Sequence, residues 1–155
     1  MKTLIQTITA LFAALAVTLS AFAADGNTDV RTITITGTDN MKFDVTLIEA
    51  EPGERIKIVL RTVSNMPATS MAHNVAIVDQ GVDLEAFVMA SMTERDNEFI
   101  APSFEDRVIA NTEMIGGGET SSIEFTVPET PGDYDYVCTF PGHYYGGMTG
   151  ILRVQ

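Results

Sequence analysis

The sequence predicts an all-β sandwich or barrel of seven to eight short strands with one short helical insert. Short runs in which apolar and polar residues alternate recur along the chain, and this is the pattern of half-buried strands. Turn-forming residues separate these runs at intervals of about eight to twelve residues. Only one segment has clear helical spacing. The combination is typical of a protein built from two packed sheets or from one closed sheet.

The first half of the chain contains four predicted strands, recognised by apolar residues at every second position. They lie at residues 30–39, 41–51, 55–63 and 73–78. Their expected inward residues are, in order, Ile33 and Ile35; Met41, Phe43 and Val45; Ile56, Ile58 and Leu60; and His73, Val75 and Ile77. Because residues 64–72 read as a loop, His73 is expected at the start of a strand and on its apolar face.

The second half begins with the helical insert. Residues 83–92 are predicted to form a helix that Asp83 caps, and residues 93–107 are charged and irregular, with Pro102 blocking regular structure. Strands are then expected at residues 108–110 and 122–127, around Tyr136, and at residues 149–154. Their expected inward residues are Ile123, Phe125 and Val127; Tyr134, Tyr136 and Cys138; and Leu152 and Val154.

The N-terminus has the pattern of a secretory signal peptide. Residues 1–23 carry one positive charge, an apolar run, and small residues at Ala21 and Ala23, so cleavage is expected before Ala24. An uncleaved anchor is the alternative, but the run is short for a membrane span and polar residues interrupt it. We expect residues 24–29 to be a flexible leader and residues 30–155 to be a single domain. The mature chain is expected to be periplasmic or otherwise exported, with no membrane span.

The chain is strongly acidic, with a formal net charge of −12. A charge of this sign repels nucleic acid, so no nucleic-acid partner is expected. It favours either a basic protein partner or simple solubility, and the composition alone does not choose between them. We expect the protein to be a monomer.

Residues that ligate transition metals are scarce. The chain has one cysteine, Cys138, and two histidines, His73 and His143, while Met148 follows five residues after His143. A lone cysteine in an exported protein is unusual, and it must be buried, joined to another chain or bound to metal. One thiolate, two imidazoles and a thioether form the ligand set of a blue-copper electron-transfer centre. Core packing would explain each residue alone, but the joint pattern favours one mononuclear copper ion.

Three of these residues lie in one loop. Cys138 ends a strand, and the Pro-Gly pair at residues 141–142 is expected to turn the chain so that His143 returns toward the same ion. The two glycines at residues 146–147 allow a second tight turn before Met148. The loop therefore supplies three of the four predicted ligands.

The fourth predicted ligand, His73, comes from a distant segment. Asn74 follows it directly and is a candidate to hydrogen-bond the cysteine loop and to hold that loop closed. Backbone N–H groups near Phe140 are candidates to point at the sulfur of Cys138. Both features would orient the ligands without touching the metal.

Three sequence segments resemble the cupredoxins, the type 1 (blue) copper proteins, and among them azurin and auracyanin. They are CTFPGH at residues 138–143, MAHN at residues 71–74, and RVIANTEMIGGGE at residues 107–119. The resemblance implies a Greek-key β-sandwich with a helical flap, one type 1 copper ion and one-electron transfer. It also implies His73, Cys138, His143 and Met148 as ligands, and a weak contact from the carbonyl of Ala72.

The chain departs from the azurin pattern in two ways that bear on the site. Four residues separate His143 from Met148, where azurin has three, and this longer spacing resembles auracyanin. Tyr144 and Tyr145 replace the smaller residues familiar from azurin, so the surface beside His143 is expected to differ.

The expected function is that of a soluble one-electron carrier, not an enzyme, that cycles Cu(I)/Cu(II) between redox partner proteins such as a cytochrome-like donor or acceptor. Because a single copper centre would use both histidines, the chain cannot build the additional copper sites of a copper oxidase. An exported copper-binding protein for copper storage or delivery is the alternative. A metal-free structural sandwich would leave the cysteine and histidines without a purpose.

Overall fold

The structure, a computed structural model, describes residues 29–155. The expected signal peptide at residues 1–23 and most of the leader, residues 24–28, lie outside the described residues. The described part forms nine strands, one α-helix and two short 3₁₀ helices. The strands are β1 Arg31–Thr38, β2 Lys42–Phe43, β3 Leu47–Ala50, β4 Arg55–Val63, β5 Ala76–Val78, β6 Val108–Asn111, β7 Thr120–Thr126, β8 Gly132–Val137 and β9 Thr149–Val154. The helix α1 is Leu84–Ser91, and the 3₁₀ helices are Arg95–Asn97 and Pro102–Arg107.

The strands form two sheets. One has the order β2-β1-β4-β7 and the other has the order β3-β9-β8-β5-β6. The pairs β1–β4 and β3–β9 are parallel, while the other paired strands are antiparallel. Both parallel pairs join strands that are not consecutive in the chain, so the connections cross between the sheets as in Greek-key folds. The predicted all-β class with a helical insert is confirmed.

The core lies between the sheets and follows from the period-two pattern of β4. Its odd and even residues alternate between exposed and buried positions, and Ile56, Ile58 and Leu60 are completely buried. Burying each of these side chains stabilises the fold by roughly 1.5–3 kcal/mol. From the opposite sheet, Tyr136 is buried, and its hydroxyl donates to the carbonyl of Val45 at 2.7 Å. The rigid core therefore supports the loops at the sheet ends.

The predicted single strand at residues 41–51 is wrong, because the chain changes sheets within it. Met41 lies in a turn with φ 53° and not on a strand face. Asp44 holds the end of β2 against β1, since its carboxylate accepts from the backbone N–H of Thr36 at 2.6 Å. Residues 44–46 then carry the chain across to β3 in the other sheet. This division accounts for the strand count exceeding the expected seven to eight.

The predicted strand at residues 73–78 is shorter than expected, since regular pairing begins only at Ala76. His73 instead makes an isolated bridge with Ile115, in which each backbone N–H donates to the other carbonyl at 2.9 Å. Thr112 pairs with Val75 between this bridge and the start of β5. Its backbone N–H donates to the Val75 carbonyl, and its hydroxyl accepts from the Val75 N–H. A side chain thus replaces part of the regular ladder, and alternation alone does not reveal this.

The helix α1 begins where the sequence predicts. The Asp83 carboxylate accepts from the backbone N–H of Ala86 at 3.1 Å, which satisfies one of the free donors of the first turn. Phe87 and Val88 are buried in a second apolar cluster that includes Val137, the residue before Cys138. The helix therefore packs beside the strand that carries the cysteine. Within residues 29–155, helices with the length and apolar character needed to cross a bilayer are absent.

Candidate metal centre

Three metal-ligating side chains converge at one end of the sandwich. The Nδ1 atoms of His73 and His143 lie 3.1 Å apart. The Sγ atom of Cys138 lies 3.4 Å from Nδ1 of His143 and 3.9 Å from Nδ1 of His73. The three residues retain at most 2% of their surface exposed. Among the described residues, this is the cluster of histidine, cysteine and carboxylate side chains whose geometry suits a metal ion.

The last hairpin positions Cys138 and Met148 opposite each other. Strands β8 and β9 pair antiparallel up to Val137 and Thr149, and the backbone N–H of Cys138 donates to the carbonyl of Met148 at 3.1 Å. The sheet register thus fixes both ends of the loop. His73 reaches the same point from the other side of the site, because its bridge to Ile115 anchors its backbone.

Hydrogen bonds within the loop set the direction of His143. Its backbone N–H donates to the carbonyl of Phe140 at 3.1 Å, and its own carbonyl accepts from the N–H of Met148 at 3.0 Å. The second bond closes a turn over the four intervening residues. Gly147, with φ 83°, supplies the left-handed conformation that this turn requires. The longer spacing between the two predicted ligands is therefore accommodated within a hydrogen-bonded turn.

Met148 lies at the site beneath strand β1. Its side chain is completely buried. A Cβ atom added to Gly37 would lie 2.9 Å from Cε of Met148 and 2.7 Å from Cδ2 of His73. Both side chains therefore contact the same point of β1, where only a glycine leaves them room. Gly37 is not among the site residues predicted from the sequence, although an isolated glycine within a strand is a signal of close approach.

Asn74 joins the two segments that carry the predicted ligands. Its Oδ1 atom accepts from the backbone N–H of Thr139 at 2.9 Å, and its Nδ2 atom lies 2.9 Å from Oγ1 of Thr139. Both residues are completely buried. The structure thus places Asn74 in contact with the cysteine loop. On the same side, the carbonyl of Ala72 lies 3.9 Å from Sγ of Cys138.

A row of packed aromatic rings, which was not predicted from the sequence, supports the loop that carries His143. The ring of Phe140 packs against His143 with centroids 4.7 Å apart, and Phe99 packs against Phe140 at 5.6 Å. Phe99 and the preceding Glu98 both have left-handed backbones, with φ 58° and 52°. Glu98 also accepts at its carboxylate from the N–H of Met114 at 2.8 Å and at its carbonyl from Asn74 at 3.4 Å. These contacts hold a strained segment in place.

Burial keeps the ligating groups neutral. It raises the pKa of Cys138 to about 12, and the backbone N–H groups of Asn74 and Phe140 partly oppose this by favouring the thiolate. Burial also lowers the pKa of His73 to about 4, with Asp39 and the backbone of Thr38 acting in the opposite direction. It lowers the pKa of His143 to about 4 as well, and His73 adds to this effect.

The protonation pattern suits a soft cation. The facing Nδ1 atoms are the natural ligand atoms, so the proton of His73 belongs on Nε2. The Nε2 atom is buried and has no hydrogen-bond partner. The backbone of Thr38 is near enough to raise the pKa of the ring, but it does not form a hydrogen bond with Nε2. A metal cation between the three groups would stabilise the thiolate, which burial alone disfavours. The donor set of two imidazole nitrogens and sulfur matches copper.

Removing the amide of Asn74 should destabilise the metal-free protein. Asn74→Ala leaves the buried N–H of Thr139 without a partner, which costs about 1–3 kcal/mol. The free energy of unfolding is measured by chemical denaturation. Asn111→Ala is the matched control, because the half-buried Asn111 side chain bonds only the adjacent Thr112 carbonyl. Equal losses in the two variants would contradict the role given to Asn74.

The metal-free protein should lose stability as the pH falls from 6.5 toward 4. In this window the unfolded state takes up protons at His73 and His143, whereas the folded state resists protonation because both pKa values are lowered to about 4. The contribution of the two histidines to the free energy of unfolding is fully present above pH 6.5. For each histidine, at most about 1.4 kcal/mol of this contribution is lost per unit by which folding lowers its pKa. Denaturation at pH 7.0 and 4.5 measures the loss, which His143→Gln should reduce. Equal stability at the two pH values would refute this prediction.

Comparisons with known proteins agree with this geometry. The family model for copper binding proteins of the plastocyanin/azurin family matches residues 29–155. Outer membrane protein H.8 of Neisseria gonorrhoeae is 33% identical over 112 residues, which cover 71% of this chain and 60% of that protein. Azurin of Alcaligenes faecalis is 33% identical over 115 residues, which cover 72% of this chain and 89% of azurin.

A solved structure shows the same fold. Reduced auracyanin from Roseiflexus castenholzii superposes with a TM-score of 0.70 at 31% sequence identity, over 80% of this chain and 96% of auracyanin. The resemblance of the sequence to the cupredoxins is thereby confirmed. The chain belongs to the plastocyanin/azurin family of copper-binding proteins.

Proposed function

We propose that this protein is a one-electron carrier in which His73, Cys138, His143 and Met148 hold one type 1 copper ion. The observation that carries the proposal is the buried convergence of two Nδ1 atoms and one Sγ atom, with separations of 3.1–3.9 Å. Copper bound there supplies a one-electron Cu(I)/Cu(II) couple. The carbonyl oxygen of Ala72 lies 3.9 Å from Sγ of Cys138 and would be a weak additional contact.

The residues around the site would keep the ligands fixed while the charge of the copper ion changes. To hold a metal cation, Cys138 would release the proton of its Sγ atom to solvent, and both imidazoles would offer an unprotonated Nδ1 atom. The bonds between Asn74 and Thr139 keep the two ligand segments together. Because the ligands are buried, water does not reorganise around them, and a rigid dry site suits electron transfer.

His143 is the proposed point of electron entry and exit. It keeps 2% of its surface exposed, whereas His73, Cys138 and Met148 are completely buried. Its loop lies at one end of the sandwich, so a partner protein can approach the ring edge without opening the core. The proposed partners are redox proteins such as a cytochrome-like donor or acceptor.

Copper storage or delivery would use the same side chains but requires ligands that exchange readily. The burial of all four proposed ligands favours the carrier function instead. We propose that the protein is a carrier and not an enzyme, because one copper site uses both histidines of the chain. We also propose that residues 1–23 direct export and are removed, that residues 30–155 form one domain, and that the mature protein is a soluble monomer.

Adding Cu(II) to the purified protein should produce the intense absorption near roughly 600 nm and the narrow EPR hyperfine splitting of a Cu–thiolate bond. Cys138→Ser should abolish both signals, because a hydroxyl does not form this covalent bond. Voltammetry should show one reversible electron per protein. A colourless copper complex would refute the proposed site, and irreversible voltammetry with a correct spectrum would favour storage.

Adding a methyl group at Gly37 should disturb the metal site while the fold is retained. In Gly37→Ala the new Cβ would lie within 3.0 Å of His73 and Met148, so both must move. We expect a changed absorption spectrum, a changed reduction potential and at least about tenfold weaker copper binding, equivalent to about 1.4 kcal/mol. Gly81→Ala is the control for an added methyl group that meets no neighbouring atom within 4 Å. Because Gly81, unlike Gly37, has a left-handed backbone with φ 72°, this control should lose some stability but keep the spectrum of the wild type. An unaltered spectrum in Gly37→Ala would contradict the close approach.

A further inference from the structure

Two of the large apolar side chains that are exposed among the described residues lie in the ligand loop and on α1. Tyr145 is 56% exposed and Met89 is 53% exposed. The hydroxyl of Tyr145 donates to Oε1 of Glu85 at 3.4 Å. Glu85 and Met89 are one helical turn apart on α1, so their side chains lie on the same face of the helix. Tyr145, Glu85 and Met89 therefore form one surface, named here the Tyr145 patch.

The exposed ring of the Tyr145 patch is held at two points. Tyr144 packs against the apolar cluster beneath α1, and its ring meets that of Tyr145 edge-on with centroids 5.2 Å apart. The bond to Glu85 fixes the other end of Tyr145. A ring that is already ordered loses little conformational entropy when a partner covers it. Tyrosine and methionine are also enriched in protein interfaces.

The patch adjoins the proposed point of electron exit. Tyr145 follows His143 by two residues, within the turn closed by the bond from Met148 to the His143 carbonyl. A protein that covers Tyr145 is therefore brought close to the edge of His143. This proximity is what an electron carrier requires of its docking surface.

The charge around the patch selects a basic partner. The described residues contain 8 Lys and Arg and 20 Asp and Glu, so their net charge is 8 − 20 = −12. The helix α1 has an acidic first turn and an acidic cap, Asp83, and it has no basic residue in its last turn. Lys42 is the basic residue that borders Tyr144, in a cleft it shares with Asp135. A second copy of this acidic chain would be repelled.

We propose that the Tyr145 patch is the docking surface for a basic redox protein. An Arg or Lys side chain of the partner would lie over the Tyr145 ring and pair with the Glu85 carboxylate, combining a cation–π contact with an ion pair. The inference rests on the proposed electron-carrier function and names the class of its partner. With copper bound, the docked complex would pass one electron from Cu(I) to the oxidised partner, which would leave Cu(II) and a partner reduced by one electron.

The test compares two oxidants of the copper-loaded, reduced protein at low ionic strength. One is horse cytochrome c, which has a basic surface around its haem edge, and the other is the hexacyanoferrate(III) anion, which needs no docking surface. Tyr145→Leu and Glu85→Gln should each slow oxidation by cytochrome c about three- to tenfold. Neither should slow oxidation by hexacyanoferrate. Glu105→Gln removes the same charge from an exposed position outside the patch and should react like the wild type.

Absorption spectra and reduction potentials identify the cause of any change. Unaltered spectra and potentials in Tyr145→Leu, together with slower oxidation by cytochrome c, support docking. The proposal is overturned by an unaltered rate in Tyr145→Leu, by equal slowing in Glu85→Gln and Glu105→Gln, or by a shifted spectrum that shows an effect on the ligands. A concentration-dependent dimer that Tyr145→Leu abolishes would assign the patch to a second copy. If the wild type reduces neither oxidant, the electron-carrier function itself fails.

Discussion

The hydrogen bonds between Asn74 and Thr139 are the interaction on which the metal end of the molecule depends. They connect residues 65 positions apart in the chain, directly beside His73 and Cys138. Each of these ligands is otherwise anchored within its own segment, His73 by its bridge to Ile115 and Cys138 by its pairing with Met148. Because the amide and the threonine are completely buried, water does not compete for their bonds. Two independently built segments thereby become one site.

The residues of the site make unfavourable contributions to the free energy of folding, and burial in the sandwich core offsets them. Two imidazoles and a thiol are removed from water, and Glu98 and Phe99 hold left-handed backbones that cost of order 1–3 kcal/mol each. The compensation is distributed across the two sheets, where side chains such as Ile58 are completely buried. A rigid support of this kind brings the three side chains together within 3.1–3.9 Å of one another in the metal-free chain.

The local part of the site was predictable from sequence, and the part made by distant contacts was not. One loop, whose glycines and proline signal turns, carries Cys138, His143 and Met148. His73 was predicted only because the chain has no other histidine besides His143. The contacts of Gly37 and Phe99 depend on how β1 and the segment after α1 cross the end of the sandwich. The alternation of apolar and polar residues along a strand does not predict this arrangement. Residues 41–51 show the same limit, because their apolar spacing continues while the chain passes from one sheet to the other.

The loop from Cys138 to Met148 has one side that faces the candidate metal site and another side that faces solvent and α1. His143 and Met148 turn inward and are linked to each other by a backbone bond, whereas Tyr145 turns outward and contacts Glu85 on the helix. The four residues between His143 and Met148 form the turn that carries both sides. Side chains on its outer side can change without moving the ligands, because backbone hydrogen bonds hold the inner side. Under the proposed function, the inner side of the loop would therefore tune the copper site and the outer side would contact the redox partner.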